Sequence, residues 1–442
     1  MKVNYLLLKP LILGGLVAFC LTGSFALTQL RAQDTAQQIV PGRVNLPAQE
    51  KQPYLIMISI DGFRWDLADK YNASFLKKMR SAGVEAQSMQ PSYPSLTFPN
   101  HYAIITGLYP SHHGLVDNYF YDPKRQATYK VSNKKAVMDS SWYGGEPLWV
   151  LAEKAGMLTA SFYWVGSEAA IKGVRPTYYY KYNEKIPIDQ RISAVKSWLQ
   201  LPVAKRPHLI TFYFPEVDHM EHRYGVDAPQ TAEAVHFIDQ SIEKLYDSCQ
   251  ATGLPVNFIV LSDHGFANLD TTKYLSVPWL DTTHYLIRGG SALTHIYAKD
   301  EAGRKGLSKL YKHLKSNATH YKVYKAGKTP RGWHYRTKDN RTGRIGDIIL
   351  VPYPPYSFYF GGNKSLGAHG FDNRLQDMQA TFYCWGPAFN RHQRIQNFPN
   401  VAVYPLVARI LGLPIPQSLK IDGKFRTLAP ILKKKTGHAS SL

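Results

Sequence analysis

The chain has 442 residues, 44% hydrophobic and 13% aromatic, a composition that excludes a disordered protein and permits a large buried core. Its 53 Lys and Arg against 32 Asp and Glu leave a formal charge of +21. Such a surplus favours anionic partners (phosphate esters, nucleic acid, an acidic membrane surface) or a merely well-solvated surface, and no nucleic-acid-binding motif accompanies it.

Lys2 and Lys9 precede an apolar stretch from Pro10 to Leu27, with Ser24-Phe25-Ala26 as a cleavage-site candidate. Residues 1–33 therefore read as a signal peptide or an uncleaved N-terminal anchor. The protein is expected to be exported, periplasmic or secreted, and membrane-associated through its N-terminus if the anchor is kept. Residues 34–53 are polar, carry Pro41, Pro47 and Pro53, and read as a linker. Residues 54–432 form the main unit, and 433–442, opening on Lys433-Lys434-Lys435, a basic tail. Beyond the leader only Cys249 and Cys384 remain, which leaves one disulfide and two buried thiols both open.

Within the main unit, Tyr54 to Ile60 is an almost unbroken apolar run, as expected of a strand covered on both faces. Leu158–Trp164, Leu209–Phe214, Asn257–Leu261 and Met378–Trp385 read the same way. Helical periodicity lies between them. From Pro229 to Cys249, Ala232, Val235, Ile238, Ile242 and Leu245 share a face, with Asp227 as N-cap and Gly253 past the end. A second helix is expected from Pro147 to Ala155. The alternation predicts an α/β fold with a mainly parallel central sheet and helices on both faces. In such a sheet the functional crevice lies beyond the carboxyl ends of the strands.

Those ends are polar. The first strand runs into Asp61-Gly62, the third into Glu216-Val217-Asp218-His219-Met220-Glu221-His222, and the fourth into Ser262-Asp263-His264-Gly265. Asp and His together suit a divalent transition metal, zinc first and manganese or iron after it. A lone Asp after a strand is ordinarily a turn or capping residue. Three such groups at equivalent strand ends favour a metal site there. If the Asp218 segment is helical, a spacing of four puts Asp218 and His222 on one face and turns His219 and Glu221 away as non-ligands. Thr97, in Ser95-Leu96-Thr97-Phe98-Pro99, occupies an N-cap position. It is either that cap or a hydroxyl placed where a helix N-terminus attracts phosphate.

Together these residues resemble the nucleotide pyrophosphatase/phosphodiesterase family of the alkaline phosphatase superfamily. The resemblance rests on Ile58-Ser-Ile-Asp-Gly-Phe-Arg64, Thr97-Phe-Pro-Asn-His-Tyr102, Thr106-Gly-Leu-Tyr-Pro110 and His113-Gly-Leu-Val-Asp-Asn118. It continues through Gly145-Glu-Pro-Leu-Trp149, Ser262-Asp-His-Gly265, His369-Gly-Phe-Asp-Asn373 and Gly386-Pro-Ala-Phe389, in the family's order. It implies an alkaline phosphatase-like fold and a minimal, bacterial-type catalytic domain over 54–432. The implied activity is zinc-dependent hydrolysis of phosphodiester or pyrophosphate bonds through a phosphothreonine intermediate. Two zinc ions per chain are implied, one held by Asp218, His222 and His369 and the other by Asp61, Asp263, His264 and Thr97. Thr97 is then the nucleophile, and Asn118 with the Thr97 backbone N–H receives a phosphate oxygen. Phe98, Trp164, Tyr179 and Tyr213 are implied to line the substrate pocket. The implied partner is a small phosphodiester, nucleotide favoured, with no specific nucleic-acid binding.

The sequence departs from several nucleotide-cleaving relatives at Leu96 and Tyr119, where they carry lysine, and at Glu216-Val217, where Glu-Pro is usual. A phospholipid or glycerophosphodiester (choline-type) phosphodiesterase on the same metal core is the alternative. A non-catalytic exported binding protein is the alternative of another class.

Overall fold

The computed structural model describes residues 35–277, 280–361 and 364–434. The leader and the tail from Lys435 onward lie outside the described residues. Tyr54–Ile60 is buried at every position because it lies inside a nine-stranded sheet. In order across the sheet the strands are Gln38–Ile39, Tyr178–Tyr180, Thr159–Phe162, Leu209–Phe214, Tyr54–Ile60, Val256–Leu261, Phe382–Trp385, Val84–Ala86 and Gln393–Ile395. Those from Tyr178–Tyr180 to Val256–Leu261 are parallel, as expected. Phe382–Trp385 runs antiparallel to Val256–Leu261, and Gln38–Ile39 antiparallel to Tyr178–Tyr180. The last apolar run starts its strand only at Phe382, because Gln376–Met378 turns in a 3-10 helix.

Two cores explain why the runs are continuous rather than alternating. Leu55 and Met57 face one core with Ile104, Ile105 and Leu261, whereas Tyr54, Ile56, Ile58 and Ile60 face another with Val235, Ile238, Ile242 and Leu245. Helix Thr97–Thr106 thus covers one face and helix Pro229–Gln250 the other. The long helix begins one residue later than its cap signal: its N-cap is Ala228, and Asp227 pairs instead with Lys70 and Asn268. The Pro147 helix runs Leu148–Lys154. Cys249 and Cys384 are free thiols in different cores, and burial pushes the Cys249 thiol up to about 12. Both are expected to ignore a thiol reagent in the native protein and to react after unfolding in guanidinium. Rapid native-state labelling of either would contradict this packing.

Two features have no counterpart in the sequence reading. The stretch expected to be a linker is laid along the body: Gln38–Ile39 joins the sheet, and buried Asn45 donates to the Val203 and Arg206 carbonyls. A second, antiparallel sheet has the order Tyr285–Gly289, Thr294–Ala298, Ile348–Pro352, Tyr321–Lys325. Helix Glu301–Ser316 packs on it through Leu310 and Leu314, giving this subdomain a small core of its own with Ile296, Ile348 and Leu350.

Candidate active site

Parallel neighbours bring their carboxyl ends to one edge, so Asp61, the Asp218 segment and Asp263-His264 emerge side by side. Asp61 is followed by Gly62 at φ +72°, where a Cβ would sit 2.8 Å from Glu221 Oε2 and 3.2 Å from the Asp218 Cα. Only glycine allows that approach. After Phe214 the chain turns at Pro215 into helix Glu216–Tyr224. The spacing of Asp218 and His222 then works as expected, with His222 Nε2 3.6 Å from Asp218 Oδ1. His369 arrives from the distant end of the sequence because Gly367–Ala368 pairs antiparallel with Ala267–Asn268, just past His264.

The three histidines share one arrangement. Nδ1 of His264 donates to the Gly265 carbonyl (3.1 Å), Nδ1 of His369 to the Ser95 carbonyl (3.0 Å), and Nδ1 of His222 faces the Gly367 carbonyl (3.2 Å) and Ser365 Oγ (2.9 Å). These partners orient each ring with Nε2 toward the carboxylates. His369 Nε2 is 3.5 Å from Asp218 Oδ1, and His264 Nε2 is 3.4 Å from Asp61 Oδ1 and 3.0 Å from Asp263 Oδ2. Asp61 Oδ1 and Asp218 Oδ1 are buried yet accept no hydrogen bond. Ligand atoms of Asp218, His264 and His369, and of Asp61, Asp263 and His264, form two groups compact enough to hold a metal ion. Oriented imidazole nitrogens facing orphaned buried carboxylate oxygens fit a divalent cation.

Electrostatics agree. Burial pushes the Asp61 carboxyl well above its ordinary value, and the Asp263 and Asp218 charges push it further. Burial acts the same way on Asp263, but His264 and His101 override it and hold that carboxyl well below the usual range. Burial lowers His369 well below 6.5, helped by His264 and His222. Burial also works against a charged His264, yet Asp263 raises its value. The cluster therefore demands positive charge between its carboxylates. Glu221 is wholly buried beside it with both oxygens unpaired, and burial then Asp218 push its carboxyl well up. His219 turns outward toward Glu184 (3.6 Å); His219, Glu221 and His222 all fall outside the two compact groups, but of the three only His222 turns a ring nitrogen toward Asp218.

Thr97 is not a cap. Leu96 is the N-cap of helix Thr97–Thr106 and Thr97 its first residue, with Oγ1 3.3 Å from His264 Nε2. Phe98 follows it, and the Phe98 N–H donates to Asn118 Oδ1 at 3.0 Å, tying Asn118 to the helix start. The sequence reading missed His101, one turn after Thr97 and fully buried. Its Nδ1 lies 3.0 Å from the Thr97 carbonyl and 3.2 Å from Asp263 Oδ2, and its Nε2 2.8 Å from Ser59 Oγ. The spacing of four from Thr97 was the available signal.

The aromatic residues divide. Tyr213 donates its hydroxyl to Asp61 Oδ2, orienting that carboxylate. Trp164 is 5% exposed and donates Nε1–H to the His101 carbonyl at 3.1 Å, so it packs the helix and presents little surface. Tyr179 sits in mid-strand opposite Ser161 and Gln38. The tyrosine of the Tyr178-Tyr-Tyr-Lys-Tyr182 run lying beside Tyr213 is exposed Tyr182, with ring centroids 6.1 Å apart. Tyr182, not Tyr179, thus stands beside Tyr213, because the strand ends at Tyr180 and the chain then leaves the sheet.

A family profile described as type I phosphodiesterase/nucleotide pyrophosphatase matches residues 55–372. The chain belongs to this family. It is 32% identical to mouse ectonucleotide pyrophosphatase/phosphodiesterase family member 1 over 408 residues, 88% of this chain and 44% of that protein. It is 31% identical to venom phosphodiesterase 2 of Crotalus adamanteus over 89% of this chain and 49% of that protein. The chain thus spans less than half the length of these curated relatives. The fold matches murine ectonucleotide pyrophosphatase/phosphodiesterase 5 at a TM-score of 0.79 and 28% identity, covering 86% of this chain and all of that one. An inactive threonine-to-alanine form of the same murine protein, in complex with AMP, matches at 0.79 and 27% identity, over 87% of this chain and all of that one. The alkaline phosphatase-like α/β architecture expected from the sequence is the one the type I phosphodiesterase family shares.

Proposed function

We propose that this chain is an exported hydrolase of nucleotide phosphodiester and pyrophosphate bonds, working through a phosphothreonine at Thr97. The observation that carries the reading is the placement of Thr97 Oγ1 at a helix N-terminus, 3.3 Å from a histidine of the metal-binding cluster. Family membership and the AMP complex of the murine relative support nucleotide substrates. Asp218, His222 and His369 would hold one zinc, and Asp61, Asp263 and His264 the other. When bound, the metals supply Lewis-acid charge and lower the pKa of oxygens beside them.

Thr97 Oγ attacks phosphorus, the bond to the leaving alcohol or nucleoside phosphate breaks, and a phosphothreonyl ester remains. Water then cleaves the ester and regenerates the hydroxyl. The Thr97 backbone N–H and the Asn118 amide receive nonbridging oxygen charge as it develops. His101 holds the Thr97 backbone and Asp263 in one frame through its bonds to both. Tyr213 keeps Asp61 oriented. Tyr182 and Phe98 offer aromatic faces to the group esterified to phosphate.

The test is a panel of a nucleoside nitrophenyl diester, a dinucleotide and a choline phosphodiester with zinc-loaded protein. Preference for the choline ester would replace the nucleotide reading with the lipid one, an ammonium lying against Tyr182 and Tyr213. Base stacking is worth about 1–3 kcal/mol, so Tyr182→Ala should lower kcat/KM for a dinucleotide by roughly 5- to 150-fold. Tyr179→Ala should leave it nearly unchanged, and an equal loss in both variants would reject the placement of Tyr182 in the pocket.

A further inference from the structure

Among the described residues the second sheet contributes none to the metal-binding groups, yet the sheet and its loop 326–347 grip the segment from Val116 to Asp122 that carries Asn118. Tyr335 Oη donates to the Val116 carbonyl at 2.6 Å. Tyr297 Oη accepts the Tyr121 N–H at 3.4 Å and donates to the Arg344 carbonyl, and Arg344 Nε donates to Asp122 Oδ2 at 2.8 Å. The Arg288 guanidinium lies 5.2 Å over the Tyr119 ring. Between these points sits Asp117, 2% exposed, with Oδ1 accepting the Tyr119 N–H at 2.9 Å and Oδ2 facing His295 Nε2 at 3.3 Å.

His295 is fully buried, and its Nδ1 accepts the Gly346 N–H at 3.1 Å. That bond leaves the ring hydrogen on Nε2, which meets the Tyr335 hydroxyl at 3.4 Å, while Asp117 Oδ2 lies against the same nitrogen without accepting a hydrogen bond. The neighbours of Asn118 are thus fixed from the second sheet and its loop 326–347, while Asn118 itself reaches the other way, to the Phe98 N–H.

We propose that His295 is a positioning residue which, through its hydrogen bond to Tyr335 and its contact with Asp117, sets the Asn118 amide against Thr97. The inference rests on the role given to Asn118 under the proposed function. An ordinary structural pair would stabilise the lobe contact and leave chemistry alone. A positioning pair acts through Asn118, because a misplacement of about 1 Å at a charge-receiving group is felt in the transition state far more than in binding.

A double-mutant cycle separates these. His295→Leu and Asn118→Ala are made singly and together, with kcat and KM for a nitrophenyl diester and Tm measured on each. His295→Leu is expected to lower kcat by about 10- to 100-fold with KM within about twofold. In the Asn118→Ala background it should cost less than about twofold. His295→Gln, which can still offer an N–H to the Tyr335 hydroxyl, is expected to recover most of the loss. Equal fold-losses in both backgrounds would overturn the proposal. If His295→Leu does not fold, Tyr335→Phe removes only the hydroxyl shared by Val116 and His295. It enters the same cycle with an expected loss of about 3- to 10-fold, and additivity there overturns the proposal equally. Full turnover by Asn118→Ala alone would instead refute the role of Asn118, and the proposal with it.

Discussion

Thr97→Ala is expected to lower diester turnover by at least about a thousandfold, roughly 4 kcal/mol of barrier. Its Tm should move by no more than about 2 °C. The two expectations have separate physical grounds. The stability side follows from Leu96, not Thr97, being the N-cap, and from the absence of any side-chain capping bond there. Removing the hydroxyl therefore forfeits no cap, a loss that otherwise costs about 0.5–2 kcal/mol, and alanine is the better helix former. The catalytic side follows from Oγ1 standing 3.3 Å from His264 Nε2, among groups that could hold a metal ion rather than groups that stabilise the helix. Thr97→Ser keeps the hydroxyl and should retain substantial activity. Acid quench of the wild type during turnover should trap a phosphorylated Thr97 peptide. Retention of more than about a tenth of wild-type turnover by Thr97→Ala, under 1.4 kcal/mol, would reject Thr97 as nucleophile.

Stripping divalent metal with a chelator is expected to abolish hydrolysis, and zinc to restore it at about two ions per chain. Tm should fall by about 5–10 °C, because metal bound only by the folded state stabilises it by mass action. The pH dependence of that gap tests the ligand assignment. Asp61 and His264 are held above their ordinary values in the metal-free cluster. A group raised on folding contributes stability below its unfolded pKa and loses it as pH rises through the folded one. Metal-free protein therefore weakens on these groups as pH rises through their raised values, whereas bound metal has already displaced their protons. Asp263 and His369, both held below their ordinary values, have no such proton to release over that range. The Tm gap between loaded and stripped protein is expected to widen with pH. A gap independent of pH, or full activity in metal-free protein, would refute the cluster as the metal site.

How much of this was legible in one dimension follows from how far each signal reaches along the chain. Four of the five parallel strands were readable because burial on both faces forces continuous apolar runs, and the polar residues at their ends were readable as exits from them; Tyr178–Tyr180, only partly buried, gave no such run. Asp218 and His222 needed only the pitch of a helix. Phe382–Trp385 looked like the other strands, and its antiparallel direction was set by its partner Val256–Leu261. His369 stood in a family motif, but what places it beside His264 is the pairing of Gly367–Ala368 with Ala267–Asn268 across a long separation.

Local chemistry by itself determined the fold class, the metal-ligand residue types and Thr97 at a helix start, since each depends on a few neighbouring residues. Tertiary structure alone decided that Thr97 faces His264 instead of capping its helix, and that Tyr182 rather than Tyr179 lies beside Tyr213. It also decided that Trp164 packs behind His101 and that His295 reaches Asp117. Where a side chain points depends on which distant segment fills the space beside it, and no periodicity within the segment carries that information.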